Sequence, residues 1–328
     1  MGTSLRAERL GTWSDRRPEL TGIIPCHNME SLIARTLISV EGQTGIVEVV
    51  IVDDASSDGS QEEIRRWAKQ ASIPCTLITH ETNRGLPSAL NSGMAHARGR
   101  FVAFLGHDDQ WEPALMERHI AILDSLGSEY AAVYGDARVI SLSGEQLRGS
   151  FIDYFRPGER PEGDLFLEFL YRLNFIHPSA VTIRRSVMLE VGPYDESIRF
   201  EDFDMWLRIS ARYKFAYSGT TDAVITSVPG SMSKTLGAEL FRAYLVSLSK
   251  FRKDPRVDRK KLRDIATNLV LGMAGVREFH AKSAAWAMMT GMRIYPDPLL
   301  APRSARILAR VAASRTRDRI RRTRSRSR

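Results

Sequence analysis

The chain has 328 residues, 43% of them apolar and 26% charged, with a net charge of +8. That length allows one large domain or two small ones, and the apolar share is that of an ordinary globular protein. Eleven arginines and one aspartate from Ala301 onward carry the basic excess and leave residues 1–300 at −2, so the overall charge gives no argument for nucleic-acid binding by the whole protein. Two cysteines, Cys26 and Cys75, form no CxxC pair and no zinc spacing, which suits reduced thiols in a cytoplasmic compartment. The first 20 residues are polar and basic, unlike a signal peptide, and form an expected flexible N-terminal segment. No segment reaches the roughly 18 uninterrupted apolar residues of a membrane span.

In chain order, residues 21–25 read as a short strand, followed by a loop at Cys26, His27 and Asn28. A helix is predicted over 29–41, with Leu32, Ile33, Thr36, Leu37 and Val40 at helical spacing, and Gly42 to Gly45 end it. A strand over 48–52 runs into the acidic loop Asp53 to Gly59, and a helix follows over 60–70. A third strand is predicted over 75–79, a turn at Asn83 to Pro87 and a helix over 88–98. The fourth strand, 101–105, ends abruptly in two adjacent carboxylates, Asp108 and Asp109.

The second half is less regular. Strands are predicted over 131–134 and 180–183, with loops and an antiparallel excursion over 135–162 that turns at Ser143 and Gly144. A helix is predicted over 201–212 and a mixed strand region over 213–227. Residues 238–292 read as helical, broken at Pro255 and ended by Pro296 and Pro298. The chain after Ala312 is expected to be disordered, because a run of like charges with few apolar residues cannot bury a core.

Strands alternating with helices across short connections predict an α/β fold: a Rossmann-like, mostly parallel central sheet with helices on both faces. A C-terminal helical region over 236–300 and a basic tail over 301–328 complete the expected organisation. In open α/β sheets ligands bind at the carboxyl ends of the strands. Two acidic strand ends there point to a diphosphate held through a hard divalent cation, which takes oxygen ligands.

Five motifs occur in a fixed order. They are Ile23 to Asn28, Val50 to Gly59, Asn83-Arg84-Gly85, the strand end Leu105 to Asp109, and Phe200 to Arg208. Together they resemble the family 2 glycosyltransferases, over Thr21 to Ser233. The resemblance implies a GT-A fold over 21–235, a nucleotide-diphosphate sugar donor, Mg²⁺ or Mn²⁺, and inversion at the anomeric carbon. It also implies a sugar or lipid-linked acceptor in cell-surface glycan or polysaccharide biosynthesis.

The implied donor nucleotide-binding residues are Pro25, Asn28, Asp53, Asp54, Asn83, Arg84, Gly85, Asn91 and Asp108. Asp53 and Asp54 could simply begin a turn. The resemblance gives one of them the base or ribose of the nucleotide, a role that suits a hydrogen-bond acceptor, and leaves open which. Arg84 reads equally as a phosphate contact or a solvated side chain, and Asn91 as support for the donor site. Asp109 is the implied metal ligand. The family's acidic motif has a further acid where this chain has Gly106, and His107 reads as a spacer.

Glu201 and Asp202 are the implied catalytic pair, with Asp202 as the general base that takes the acceptor hydroxyl's proton. A bland reading also exists, since acids favour helix N-termini. His177 and Ser179 lie where the family shapes its acceptor side, and Ser231, Ser233 and Lys234 lie in a segment near the diphosphate. The basic tail reads as a solvated end, as a contact for an anionic membrane surface or, least favoured, as a nonspecific nucleic-acid contact. The membrane reading would place the protein peripherally at the inner face. Rival functions are a nucleotidyltransferase, for which the Gly-rich loop near the first strand is missing, and a noncatalytic degenerate transferase fold, which Gly106 alone supports.

Overall fold

The computed structural model describes residues 5–11, 17–44, 47–229, 237–273, 281–297, 302 and 305–306. Its strands are β1 Arg6–Leu10, β2 Leu20–Cys26, β3 Val47–Asp53, β4 Cys75–Thr79, β5 Phe101–Phe104, β6 Gln110–Trp111, β7 Tyr130–Ser141, β8 Gln146–Arg148, β9 Val181–Arg184 and β10 Lys214–Ser227. Its helices are α1 Ile33–Glu41, α2 Ser60–Ala68, α3 Leu86–His96, α4 Leu115–Ser125, α5 Ile152–Phe155, α6 Phe166–Arg172, α7 Arg185–Val191, α8 Asp202–Ser210, α9 Ala238–Lys250, α10 Arg259–Met273 and α11 Ala281–Ile294. The chain divides into two compact units. The first comprises 1–169, 174–197 and 205–231; the second comprises 170–173, 198–204 and 232–328.

In the first unit one mixed sheet runs in the order β1-β4-β3-β2-β5-β9-β7-β10-β6, with β8 on β7. The run β4-β3-β2-β5 is parallel throughout. This is the Rossmann-like half of a GT-A fold, extended by β9, β7, β10 and β6 into a mixed sheet. β2 and β3 are buried at every residue, as expected of strands covered on both faces. Side chains alternate along a strand. Val49 and Ile51 pack with Ile33, Leu37 and Ile64 from α1 and α2 and Leu115 and Ile120 from α4, while Val50 and Val52 pack with Ala89 of α3. Each such aliphatic side chain contributes about 1.5–3 kcal/mol on burial. Helix α3 lies so close to the sheet that a Cβ at Gly93 would sit 2.5 Å from Ile23 Cγ2, which is why glycine stands there. Cys26 and Cys75 are buried free thiols, each pushed up to about 12, chiefly by burial.

Three local expectations are corrected. Residues 6–10, expected within a flexible segment, form an antiparallel edge strand on β4, in register from Arg6 opposite Thr79 to Leu10 opposite Cys75. Their pairing uses the backbone, which leaves no apolar alternation to read. Helix α1 begins at Ile33 rather than at 29, because Asn28 takes a left-handed φ of +53° and the chain turns before the helix starts. Strand β7 continues to Ser141, through residues expected to be loop. The residues that read as loop have internal uses. Gly135 leaves room for the Asp222 carboxylate, and buried Asp136 accepts N–H bonds from Phe151 and Ile152.

In the second unit the helical region is built from α9, α10 and α11, with buried Leu245, Leu248, Leu262, Ala266 and Val270. Pro255 falls in the break between α9 and α10. Residues 198–204 belong here: the Phe203 ring meets Tyr244 at 4.6 Å, and Lys250 Nζ lies 2.6 Å from Asp204 Oδ1. Among the described residues no helix is long and apolar enough to cross a membrane. Ser231, Ser233, Lys234 and the arginine-rich segment beyond Arg306 lie outside the described residues.

Candidate active site

The chain winds outward from β2 through β3 to β4, then returns to place β5 on the other side of β2. Such a reversal opens a crevice at the carboxyl ends of the strands. Pro25, Asn28, Asp53, Asp54 and the loop after β5 all lie at those ends, where Cys26 pairs with Asp53. Asn83, Arg84 and Gly85 follow β4 at the same end.

The acidic loop after β3 is locked to the end of β2. Asn28 N donates to Ser56 Oγ at 3.0 Å, and Ser57 N donates to Asn28 Oδ1 at 2.8 Å. Asp53 Oδ2 accepts from Ser56 N at 3.2 Å and Gln61 Nε2 at 2.8 Å. Its Oδ1 is buried with no hydrogen-bond partner among the described residues. Ala55 has φ +59°, so two non-glycine residues, Asn28 and Ala55, are left-handed within one loop cluster. Strain of about 1–3 kcal/mol per such residue gathers at functional sites.

Asp54 has a different environment. Its Oδ1 accepts from Arg84 N at 2.8 Å and His80 Nδ1 at 2.6 Å, and its Oδ2 accepts from Gly85 N at 2.7 Å. Asn83 Oδ1 also accepts from Gly85 N, at 3.1 Å. Gly85 has φ +86°, a conformation that favours glycine. The Arg84 side chain is exposed, so only its backbone is held. Asn91 commits both ends of its amide to a neighbouring loop. It donates to Tyr194 O and Glu196 Oε1 and accepts from Tyr194 N. Its place is therefore that of a brace behind the turn.

The end of β5 is held from three sides. Thr36 Oγ1 of α1 donates to the carbonyls of His107 and Asp109 at 2.9 and 2.8 Å. His107 Nδ1 donates to Pro25 O at 3.1 Å, which ties the loop to the end of β2. Ser179 Oγ donates to Asp109 Oδ2 at 2.7 Å, and Thr226 N donates to Oδ1 at 3.2 Å. Asp109 is 4% exposed, whereas Asp108 is half-buried. Burial, then the neighbouring Asp108 carboxylate, pushes Asp109 up to about 8 against the pull of its two hydrogen bonds. His177 Nδ1 lies 4.0 Å from Asp109 Oδ2 but accepts from Ser179 N, and burial pushes this imidazole down to about 4. A neutral ring gives Asp109 no counter-charge, and among the described residues no Lys or Arg pairs with it.

This donor set fits a hard cation: two adjacent carboxylates whose mutual repulsion a positive ion would relieve. Gly106, where an acid was expected, is part of that set's shape. A Cβ there would lie 2.7 Å from Asp109 Oδ2 and 3.2 Å from Asp108 Oδ1. Among the described residues no three His, Cys, Asp or Glu side chains converge.

Glu201 and Asp202 lie in the second unit, at the start of α8, and each is 7% exposed. Burial, then the adjacent Asp202, pushes Glu201 up to about 8. Asp204 is fully buried and paired with Lys250, which separates its role from that of its neighbours.

A family model described as "Glycosyl transferase family 2" matches residues 21–192, just over half of the chain. The chain belongs to glycosyl transferase family 2. Among curated relatives, the succinoglycan biosynthesis protein ExoO of Rhizobium meliloti is 37% identical over 138 residues, covering 41% of this chain and 37% of its own. The first relatives matched are long, and the aligned stretch spans 31%, 29% and 37% of their lengths. Among solved structures, S. aureus TarS in complex with UDP-GlcNAc superposes with a TM-score of 0.64 at 16% identity, over 85% of this chain and 82% of that one. The mannosyltransferase PcManGT from Pyrobaculum calidifontis, in complex with GDP-Man and Mn²⁺, gives 0.55 at 19% identity, over 92% and 87%. These likenesses show the fold.

Two residues of the site escaped the sequence reading. His80 belongs to no motif and follows an ordinary strand. Ser179 lay in a segment read as acceptor-side, and nothing in its neighbours announces that its hydroxyl meets Asp109.

Proposed function

We propose that the protein transfers a sugar from a nucleotide-diphosphate sugar to an acceptor hydroxyl, by a single displacement that inverts the anomeric carbon. The observation that carries this reading is the Asp108–Asp109 pair at the switch point, Asp109 buried and Asp108 half-buried, with no cationic side chain beside it among the described residues. Relatives and neighbours support it: TarS is bound to UDP-GlcNAc, PcManGT to GDP-Man and Mn²⁺, and ExoO acts in succinoglycan biosynthesis. A sugar or lipid-linked acceptor in polysaccharide assembly follows the same support.

In this reading Asn28, the Asp53–Asp54 loop and the Asn83–Gly85 turn hold the nucleotide. Asp109, with Asp108 beside it, holds Mg²⁺ or Mn²⁺, which supplies positive charge against the departing diphosphate. Asp202 takes the acceptor hydroxyl's proton as the new bond forms. Glu201, which burial and the adjacent Asp202 push up, stands beside it as the second carboxyl of the pair.

NMR of the wild-type product should show inverted anomeric configuration. Asp202→Asn should retain nucleotide-sugar affinity while kcat falls by roughly 10²–10⁴, the usual range for a lost general base. A retained configuration would overturn the single displacement and Asp202 with it.

A further inference from the structure

We infer that His80 is a positioning residue for donor binding, acting through Asp54 on the turn before α3. This rests on the donor-site reading above and assigns a residue outside the five motifs. His80 follows β4 directly, and its backbone N donates to Asp53 O at 2.9 Å. Its side chain is fully buried. One ring nitrogen, Nδ1, lies 2.6 Å from Asp54 Oδ1, and the other, Nε2, lies 3.0 Å from Ser92 Oγ of α3. An ionised carboxylate only accepts, so Nδ1 carries the proton toward Asp54.

The links close a ring. The end of β3 supplies Asp54, whose two oxygens take the backbone N–H groups of Arg84 and Gly85. Gly85 opens α3, α3 supplies Ser92, and Ser92 meets the far side of the His80 ring. The two amides tie the carboxylate to one turn, an oxygen each, but to nothing on β4. His80 reaches Oδ1 from the end of β4 and supplies that tie. Buried groups hydrogen-bonded from behind are how a fold fixes the aim of residues in front. Here those residues are the Asn83–Gly85 turn and the exposed Arg84 side chain it carries.

The substitutions that test this are His80→Leu, His80→Asn, His80→Gln and Ser92→Ala. An asparagine amide places its N–H close to where histidine has Nδ1, so His80→Asn keeps the bond to Asp54 and loses only the one to Ser92. In His80→Leu the donor KM, and the Kd for UDP or GDP, should rise about tenfold, with acceptor KM and kcat within about threefold of wild type. His80→Asn should restore donor affinity to within about threefold of wild type. Hydrogen exchange of a peptide covering residues 81–86 should quicken in His80→Leu and not in His80→Asn. If His80→Leu does not fold, His80→Gln, whose amide reaches the place of Nε2 but not of Nδ1, should show the same donor-specific loss, and Ser92→Ala should stay within about threefold of wild type as His80→Asn does.

Unchanged donor affinity in His80→Leu with faster exchange at 81–86 would overturn the inference, leaving His80 a purely structural clamp. A loss equal in donor KM, acceptor KM and kcat would overturn it as well. If the wild type binds neither UDP, GDP nor their sugars, the donor-site reading itself fails and takes the inference with it, whatever the exchange shows.

Discussion

At the end of β3, Asp54 lies under three N–H donors; at the end of β5, Asp109 meets one hydroxyl and one amide, with a second carboxylate alongside. Both side chains are almost fully buried. Burial opposes charge on either, and the donors each has been given decide the outcome. Asp54 is built into the fold with three hydrogen-bond donors supplied. Asp109 is pushed up to about 8, an acid whose charge the protein leaves unbalanced. A buried carboxylate with a full set of donors is part of the frame. On the transferase reading, one left without them beside another acid is where a cation would bind.

Activity and stability should therefore separate at these positions. Asp109→Asn resembles the protonated acid in shape, so it should fold with cation-free stability within about 1 kcal/mol of wild type. Its cation-dependent transfer should fall by about 10²–10³ or more. Transfer within a few-fold of wild type would remove Asp109 from the reaction. Asp54→Ala should behave in the opposite sense, stranding two backbone amides and His80 in the interior. Urea unfolding should show a loss of about 3 kcal/mol, with nucleotide affinity lost alongside. Equal stability losses at the two positions would break the contrast.

A third buried acid sharpens it from the saturated side. Asp222 is fully buried, which would raise it, yet it accepts from His119 Nε2, Ser218 Oγ, Arg118 Nη2 and Thr220 Oγ1 and is held down at about 2. A folded value below the unfolded one, near 3.9, means stability fully present above about pH 4 and lost as the pH falls through 2. That loss should be about 2 kcal/mol between about pH 5 and about pH 2 in wild type, and absent in Asp222→Asn once other acids are accounted for. An unchanged acid slope in the variant would place Asp222 among ordinary carboxylates.

What the sequence made legible follows from the forces involved. β2 to β5 announce themselves because strands covered on both faces must be apolar throughout, and their ends show where polarity returns. The acidic residues at those ends were found for that reason. Their division of labour was not, because Asp54 and Asp109 differ only in what folds back onto them: His80 and the 84–85 amides for one, Ser179 and Thr226 for the other. These partners lie 26 to 117 residues away in the chain. β1 and the far half of β7 were hidden for a related reason. Edge pairing by backbone leaves no side-chain signature, and Gly135 and Asp136 read as loop until Asp222, Phe151 and Ile152 are seen beside them.

The closeness of the backbone at Gly106 has a consequence for the order of events. A Cβ at Gly106 would crowd both carboxylates, and among the described residues that loop presents two adjacent acids, one of them tied down by Ser179 and Thr226. On the transferase reading, such a half-built cage holds its ion weakly until phosphate oxygens close it. On that reading, metal and nucleotide would bind more tightly together than either would alone.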